Sequence, residues 1–447
     1  MNGPTLAPAP ASPPGSAPEV PPESLTRVAG IDWASTEHVV CVIGTTGTET
    51  GAVIARFTIT HTRAGLEKLL TRLHELHVVR VGIERPDGPV VAALLGAAGP
   101  GGTCPGLRVT VIPPRQVKNL RSRYPGSGKD DRGDAYVLAD AIRTDGHRLV
   151  DRVPDLTIDT PATSALKALT RARKDLVETR VGLVNQLRHT LELAFPAAVG
   201  LFFDLHSPIA RAFLREHPAA ADAATGAGRD EQTMTAWLAA HGYCGRTSAT
   251  ELIRRLREAP PGLTGPEALA RRHVTLALLA AVDTIEARIT DLTRQIKQAL
   301  LLHPDASTFT SLPRAGTGVR AATLLAELGD ARGRYPTWEA LAAAAGASPV
   351  TFASGKHLGV GFRYNANTKL RAALMDFADD SRHASPWAAD IYQRARARGH
   401  RHPPAVRVLA RAWTQVIWTC WQNHTTYDPT RHGGLQRHLE QATPAAA

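Results

Sequence analysis

Cysteine is scarce in this 447-residue chain: Cys41, Cys104, Cys244 and Cys420 are the four, and no two stand at Cys-x-x-Cys spacing. That argues against a disulfide framework and against a cysteine-built zinc site. Long apolar runs are missing as well. The longest, near 90–98 and 276–282, fall well short of the roughly 20 residues that span a bilayer. No Lys or Arg precedes Arg27, so the Pro-, Ala- and Ser-rich start has neither the basic head nor the apolar centre of a secretory signal. Residues 1–25 read as a disordered arm, and a cytoplasmic protein is expected, with no membrane partner. Acidic residues are the minority charge, 41 against 52 Lys and Arg, leaving a formal +11 and a pI near 9.8. Such an excess favours a polyanion through counterion release. Without an amphipathic basic anchor, nucleic acid is preferred to acidic lipid. No helix-turn-helix or zinc-finger pattern is recognisable.

The length implies two or three domains. Residues 27–60 read as three strands rich in β-branched residues. Leu66, Leu69, Leu70, Leu73 and Leu76 mark one helix face, and strands ending at Glu84 and near Pro113 flank an Ala-rich helix at 89–98. Strands alternating with helices indicate an α/β sheet covered by helices. Helical periodicity takes over from 161 to 198. A second long helix carries Leu278, Val282, Ile285, Ile289, Leu292, Ile296 and Ala299 at heptad steps. These two arms fit an intramolecular hairpin or a dimerising coiled coil equally well. The stretch 199–275 looks helical but broken. Trp413, Ile417 and Trp421 share a helix face and read as core.

Four carboxylates carry the chemistry. Asp32 ends the strand Val28-Ala29-Gly30-Ile31-Asp32, and Glu84 ends Val79-Arg80-Val81-Gly82-Ile83-Glu84. Asp131 and Asp134 lie in Lys129-Asp130-Asp131-Arg132-Gly133-Asp134-Ala135. Residues i and i+3 share a helix face, and like charges there are best tolerated at a helix N-terminus or around a cation. Hard oxygen donors from two strand ends and one helix face suit a divalent metal for phosphoryl transfer. The four are expected to converge within one coordination shell. Asp130 is a further candidate that the sequence does not separate from its neighbours.

These motifs resemble those of the DEDD transposases of bacterial insertion sequences, relatives of the pilin-gene invertases. The resemblance implies an RNase H-like (RuvC-like) N-terminal domain. The usual Lys-Thr-Asp-x-x-Asp-Ala assigns the pair to Asp131 and Asp134, with Asp130 where Thr is common. It continues in Ser311-Leu312-Pro313-Arg314-Ala315-Gly316-Thr317-Gly318, similar to a helix-hairpin-helix turn with Arg314 in place of its first Gly. It extends through Ala353-Ser354-Gly355-Lys356 and Asn367-Thr368-Lys369-Leu370-Arg371. By that resemblance Ser354 is the nucleophile that joins to a DNA 5′ phosphate, although Ala353 replaces the usual Gln. The backbone of Gly316 and Gly318 offers a phosphate cradle, and Lys356, Arg363, Lys369 and Arg371 are candidates to steady the scissile phosphate.

The expected architecture is therefore α/β plus α. It comprises an arm (1–25), a RuvC-like catalytic domain (26–155), a helical or coiled-coil region (156–304), a mostly helical C-terminal domain with helix-hairpin-helix and serine (305–430), and a tail (431–447). The expected function is a transposase or site-specific DNA recombinase using Mg2+, acting as a dimer or tetramer on element ends and target. The resemblance implies a structured guide RNA. Two alternatives are a Holliday-junction-type endonuclease that uses the carboxylates and water alone, and a non-catalytic nucleic-acid binder. An actin-like kinase, suggested by Gly30-Ile31-Asp32, lacks a second phosphate motif.

Overall fold

The computed structural model describes residues 27–46, 49–124, 130–150, 155–316, 318–354 and 357–431. The expected arm at 1–25, Lys129, Lys356 and all of the tail beyond Arg431 lie outside them. The chain divides into two compact units, one of residues up to Ile158 with Gly333–Tyr335, the other of Asp159–Arg332 with the residues from Pro336 onward.

The first unit is built on strands β1 (Arg27–Trp33), β2 (Glu37–Thr46), β3 (Glu49–Thr60), β4 (Arg80–Ile83) and β5 (Arg108–Val111), with helices α1 (Arg63–Glu75), α2 (Pro89–Ala98), α3 (Pro114–Arg121) and α4 (Asp131–Val150). Sheet order is β3-β2-β1-β4-β5. The first three strands form an antiparallel meander, and β4 and β5 join parallel to β1. Strand alternation sorts the side chains into two layers. Ala29, Ile31, Val40, Val42, Val81 and Ile83 pack against Leu69 and Leu73 of α1 and Val90 and Leu94 of α2. On the opposite face Val28, Cys41 and Ile43 pack against Val117 and Leu120 of α3 and Ala135, Leu138 and Ile142 of α4. This is the helix-covered α/β sheet expected from the alternating pattern. α3 is the element that the apolar periodicity does not announce.

The second unit is helical apart from one hairpin. It runs through α5 (Pro161–Ala194), α6 (Pro196–Val199), α7 (Pro208–Glu216), α8 (Ala220–Thr225), α9 (Glu231–Ala240), α10 (Ala249–Glu258) and α11 (Gly265–Leu301). It continues with α12 (Ala306–Thr310), α13 (Val319–Leu328), α14 (Trp338–Ala344), strands β6 (Val350–Ser354) and β7 (His357–Gly361), then α15 (Thr368–Ser381), α16 (Pro386–Ala397) and α17 (His402–Gln422). The long helices α5 and α11 pack on each other within the chain. Leu166, Thr170, Leu187 and Leu191 of α5 are buried, as are Leu279, Val282, Ile289 and Ile296 of α11. Arg180 holds Glu286 across the pair at 2.9 Å, and Arg173 Nε donates to Thr293 Oγ1 at 2.7 Å. The intramolecular hairpin is thus realised, and α11 begins at Gly265 rather than near 276. The broken stretch between them folds as α6–α10 around Phe195, Phe202, Phe213 and Met234. Trp413, Ile417 and Trp421 are core residues, with Trp413 Nε1 donating to Ser381 Oγ at 2.8 Å. Among the described residues no helix is long and apolar enough to cross a membrane.

Candidate active site

β1 presents Val28, Gly30 and Asp32 alternately with Ala29 and Ile31, so Asp32 shares the face on which α4 lies. The approach of α4 depends on two glycines that are register partners, Gly30 on β1 and Gly82 on β4. A Cβ on Gly30 would stand 2.0 Å from Ala135 O and 2.5 Å from Ala139 N; one on Gly82 would stand 2.9 Å from Leu138 O. The helix backbone therefore rests directly on the sheet, and its first turn arrives beside the end of β1. That turn carries Asp131, which is exposed, and Asp134, which is buried. Glu84 follows β4 immediately and is half-buried.

Electrostatics show that the four carboxylates share one neighbourhood. Burial raises the Asp32 carboxyl from 3.8 to about 6, helped in turn by the charges of Asp134, Asp131 and Glu84 and opposed by Arg121. A carboxylate whose charge is disfavoured by three others is relieved by a cation, and the hard oxygen donors match a divalent metal. DEDD domains of this kind generally use one. The carboxylate donors of Asp32, Glu84, Asp131 and Asp134 match the chemistry of such an ion. The expected closed coordination shell is nevertheless not formed: among the described residues no group of three or more His, Cys, Asp or Glu is arranged to hold a metal. One of the four is held by a residue that the sequence motifs do not include. Arg121, at the end of α3, grips both carboxylate oxygens of Asp134 through Nε and Nη2. The bidentate pair holds Asp134 to α3.

Asp130 takes a different part. Its Oδ1 accepts from Gly133 N at 2.5 Å and its carbonyl from Asp134 N at 3.0 Å, so it caps α4. Six residues beyond Asp134 on α4, buried Asp140 accepts from the Tyr124 hydroxyl and from Arg143 Nε at 2.9 Å. Burial and that carboxylate push the Tyr124 phenol up, so it remains a donor. A groove of about 500 Å³ lined by Val39, Arg56 and Asp130 to Gly133 opens beside the carboxylates. A smaller pocket of about 120 Å³ lies against Arg121, Tyr124 and Asp134. Arg56 borders both, giving the acidic site a basic margin. In the sequence Arg121 sits in Pro114-Arg115-Gln116-Val117-Lys118-Asn119-Leu120-Arg121. Its two hints were a Pro opening a helix and Val117 and Leu120 three apart.

The remaining candidates lie in the second unit. Ser354 is the last residue of β6 and pairs with His357 across the hairpin end. Its backbone therefore occupies a turn-proximal position. Where a helix-hairpin-helix is expected, there is a five-residue α12, a turn, and a ten-residue α13. The backbone turns through Arg314 at φ 58° and Gly316 at φ 52°, and Gly318 is the N-cap of α13. Arg314 thus occupies the left-handed conformation for which glycine is suited, with its Nε on Asp380 at 2.8 Å. Lys369 is exposed in the first turn of α15. Arg363 donates to Ser348 O at 3.2 Å, and its own carbonyl accepts from Arg371 Nη2 at 2.6 Å.

Comparison with known proteins agrees with both halves. Residues 29–196 match a DEDD transposase family model of the IS110 type, and residues 306–393 match a model described as the transposase IS116/IS110/IS902 family. The chain is 34% identical over 426 residues to the mini-circle putative transposase for IS117 of Streptomyces coelicolor, covering 92% of this chain and 97% of the relative. It is 30% identical over 331 residues to an insertion element IS116 protein of Streptomyces clavuligerus, covering 72% and 79%.

Proposed function

Because the chain belongs to the IS116/IS110/IS902 transposase family, an enzyme family that cuts and rejoins DNA, we propose that it does so with two chemical centres, the Asp32–Glu84–Asp131–Asp134 set and Ser354. The observation that carries the first is the raised Asp32 carboxyl, lifted to about 6 by burial and by the other three members. These residues would hold Mg2+, whose bound state shields phosphate charge and helps a hydroxyl to ionise. Ser354 Oγ then bonds to phosphorus as the P–O3′ bond breaks. The serine gives up its proton, the released 3′ oxygen takes one, and the DNA 5′ phosphate stays on the protein. Attack by another strand's 3′ hydroxyl reverses these bond changes and rejoins DNA without an outside energy source. Resemblance to the family supports two further parts of the reading: an element-encoded guide RNA that pairs with donor and target, and a dimer or tetramer. Gly316, Gly318, Lys356 and Lys369 are proposed to contact the nucleic-acid backbone.

The test is covalent trapping on the element's own end DNA with target, flanking RNA and Mg2+. Wild-type protein should yield a DNA adduct that maps to Ser354. Asp32→Asn and Ser354→Ala should both lose it. Continued cutting by Ser354→Ala would instead establish a water-using nuclease that relies on the carboxylates alone.

A further inference from the structure

Most partly buried arginines of the second unit have acidic partners. Arg171 meets Glu327, Arg332 meets Asp305, and Arg320 meets both Asp376 and Asp380. Two of the others share one aromatic ring. The guanidinium groups of Arg371 on α15 and Arg407 on α17 lie over the ring of Phe362, 4.6 and 4.2 Å from its centroid. Among the described residues neither forms an ion pair with a carboxylate. Arg371 Nη2 is spent on the Arg363 carbonyl, whereas its Nε is buried with no hydrogen-bond partner. Burial and the like charge of Arg371 both depress Arg407. Two cations brought together against one ring, one with a buried donor left over, form an arrangement that an anion completes.

The backbone around them is shaped to hold that arrangement. Gly346 has φ +65°, and a Cβ there would fall 2.4 Å from Arg371 Nη2; the guanidinium therefore occupies space that any other residue would fill. The Arg363 carbonyl fixes its orientation, and Phe362 gives both cations a π face. Tyr364, exposed over 78% of its surface, stands edge-on to Phe362 at 4.8 Å. It offers an aromatic face to a base beside the anion.

We propose that Arg371 and Arg407, mounted on Phe362, form a seat for the phosphodiester backbone of the substrate DNA strand. The β6–β7 hairpin ends at Gly361, next to Phe362, so the seat continues the chain segment that carries Ser354. The assignment to DNA rests on the transposase reading above; the anion site itself rests on the uncompensated guanidinium pair. Arg407 has no place in the sequence motifs.

The experiment measures binding of a labelled duplex oligonucleotide, and of an RNA of the same sequence, by the full chain over a series of NaCl concentrations. Each phosphate contact contributes about 0.9 to the slope of log K against log salt. Arg407→Ala and Arg371→Ala should each lower the DNA slope by about one contact, and Arg407→Lys should restore it. An equal loss on RNA supports the seat, since a phosphate contact does not read the sugar. A loss confined to RNA overturns the assignment to DNA, and unchanged slopes in folded variants overturn the seat. Should the alanine variants fold poorly, Arg407→Gln keeps the bulk without the charge, and inorganic phosphate should raise the melting temperature of wild type more than that of Arg407→Gln. The slope is read on the arginine variants with both catalytic centres intact. Cutting by Ser354→Ala would therefore sink the serine step and leave the seat standing.

Discussion

Arg121 and Asp134 face each other across the packed helices α3 and α4, the guanidinium fork closing on both oxygens of a carboxylate that is 5% exposed. Asp134 is also the second member of the Asp131–Asp134 pair. The same oxygens cannot serve a bidentate arginine and a metal fully at once. Arg121 is thus an internal counter-cation: it neutralises a buried carboxylate and competes with any ion that would bind there.

Arg121→Ala is expected to destabilise the first unit by about 3 kcal/mol in the absence of divalent ions, because it leaves a buried charge unpaired. Mn2+ or Mg2+ should recover part of that loss. Calorimetric titration should show tighter metal binding by Arg121→Ala than by wild type, and weaker binding would remove Arg121 as a competitor.

Stability should carry the imprint of Asp32. Its folded carboxyl titrates at about 6 against 3.8 for the ordinary group, so the folded state holds the proton more tightly. That contribution is fully present below about pH 4 and is lost as pH rises toward 6. Asp32→Asn should therefore raise the melting temperature near neutrality and change it little near pH 4. A rise of equal size at both values would exclude charge as its cause.

Gly30→Ala is expected to cost about 3 kcal/mol, the upper end of overpacking penalties, since the added methyl meets helix backbone rather than a movable side chain. Gly82→Ala meets Ile142 Cγ1 as well as Leu138 O at 2.9 Å and should cost less. Urea midpoints of the two variants give the order directly. Gly30→Ala should also abolish DNA cutting, because α4 carries Asp131 and Asp134.

In the second unit Glu327 is buried on α13, with Arg171 of α5 bonded to both oxygens at 2.8 Å. Arg171→Ala should destabilise this unit by about 3 kcal/mol, the cost of stranding one member of a buried pair. Adding Glu327→Gln should recover much of it. A double variant no better than the single one would show that packing of the Arg171 stem, rather than charge, sets the loss.

The sequence by itself marked the strands of the first unit, helices α1 and α2, and the two long arms. β-Branched content marked β1–β3, and leucine spacing marked α1 and the two long arms, since these patterns arise from local geometry. It also picked out the four carboxylates, through strand-end and i, i+3 positions on the elements that present them. It left open whether α5 and α11 pair within one chain, because a heptad seam is indifferent to which helix covers it. It missed α3, whose short polar run has little periodicity, and with it Arg121. Only the tertiary structure decided that Asp130 caps α4, that Asp134 is held by Arg121 instead of joining a closed shell, and that Arg371 and Arg407 share Phe362. Each of these depends on residues far apart in the chain or on how a backbone end is satisfied. Such relationships are set when surfaces pack, and no short-range pattern records them.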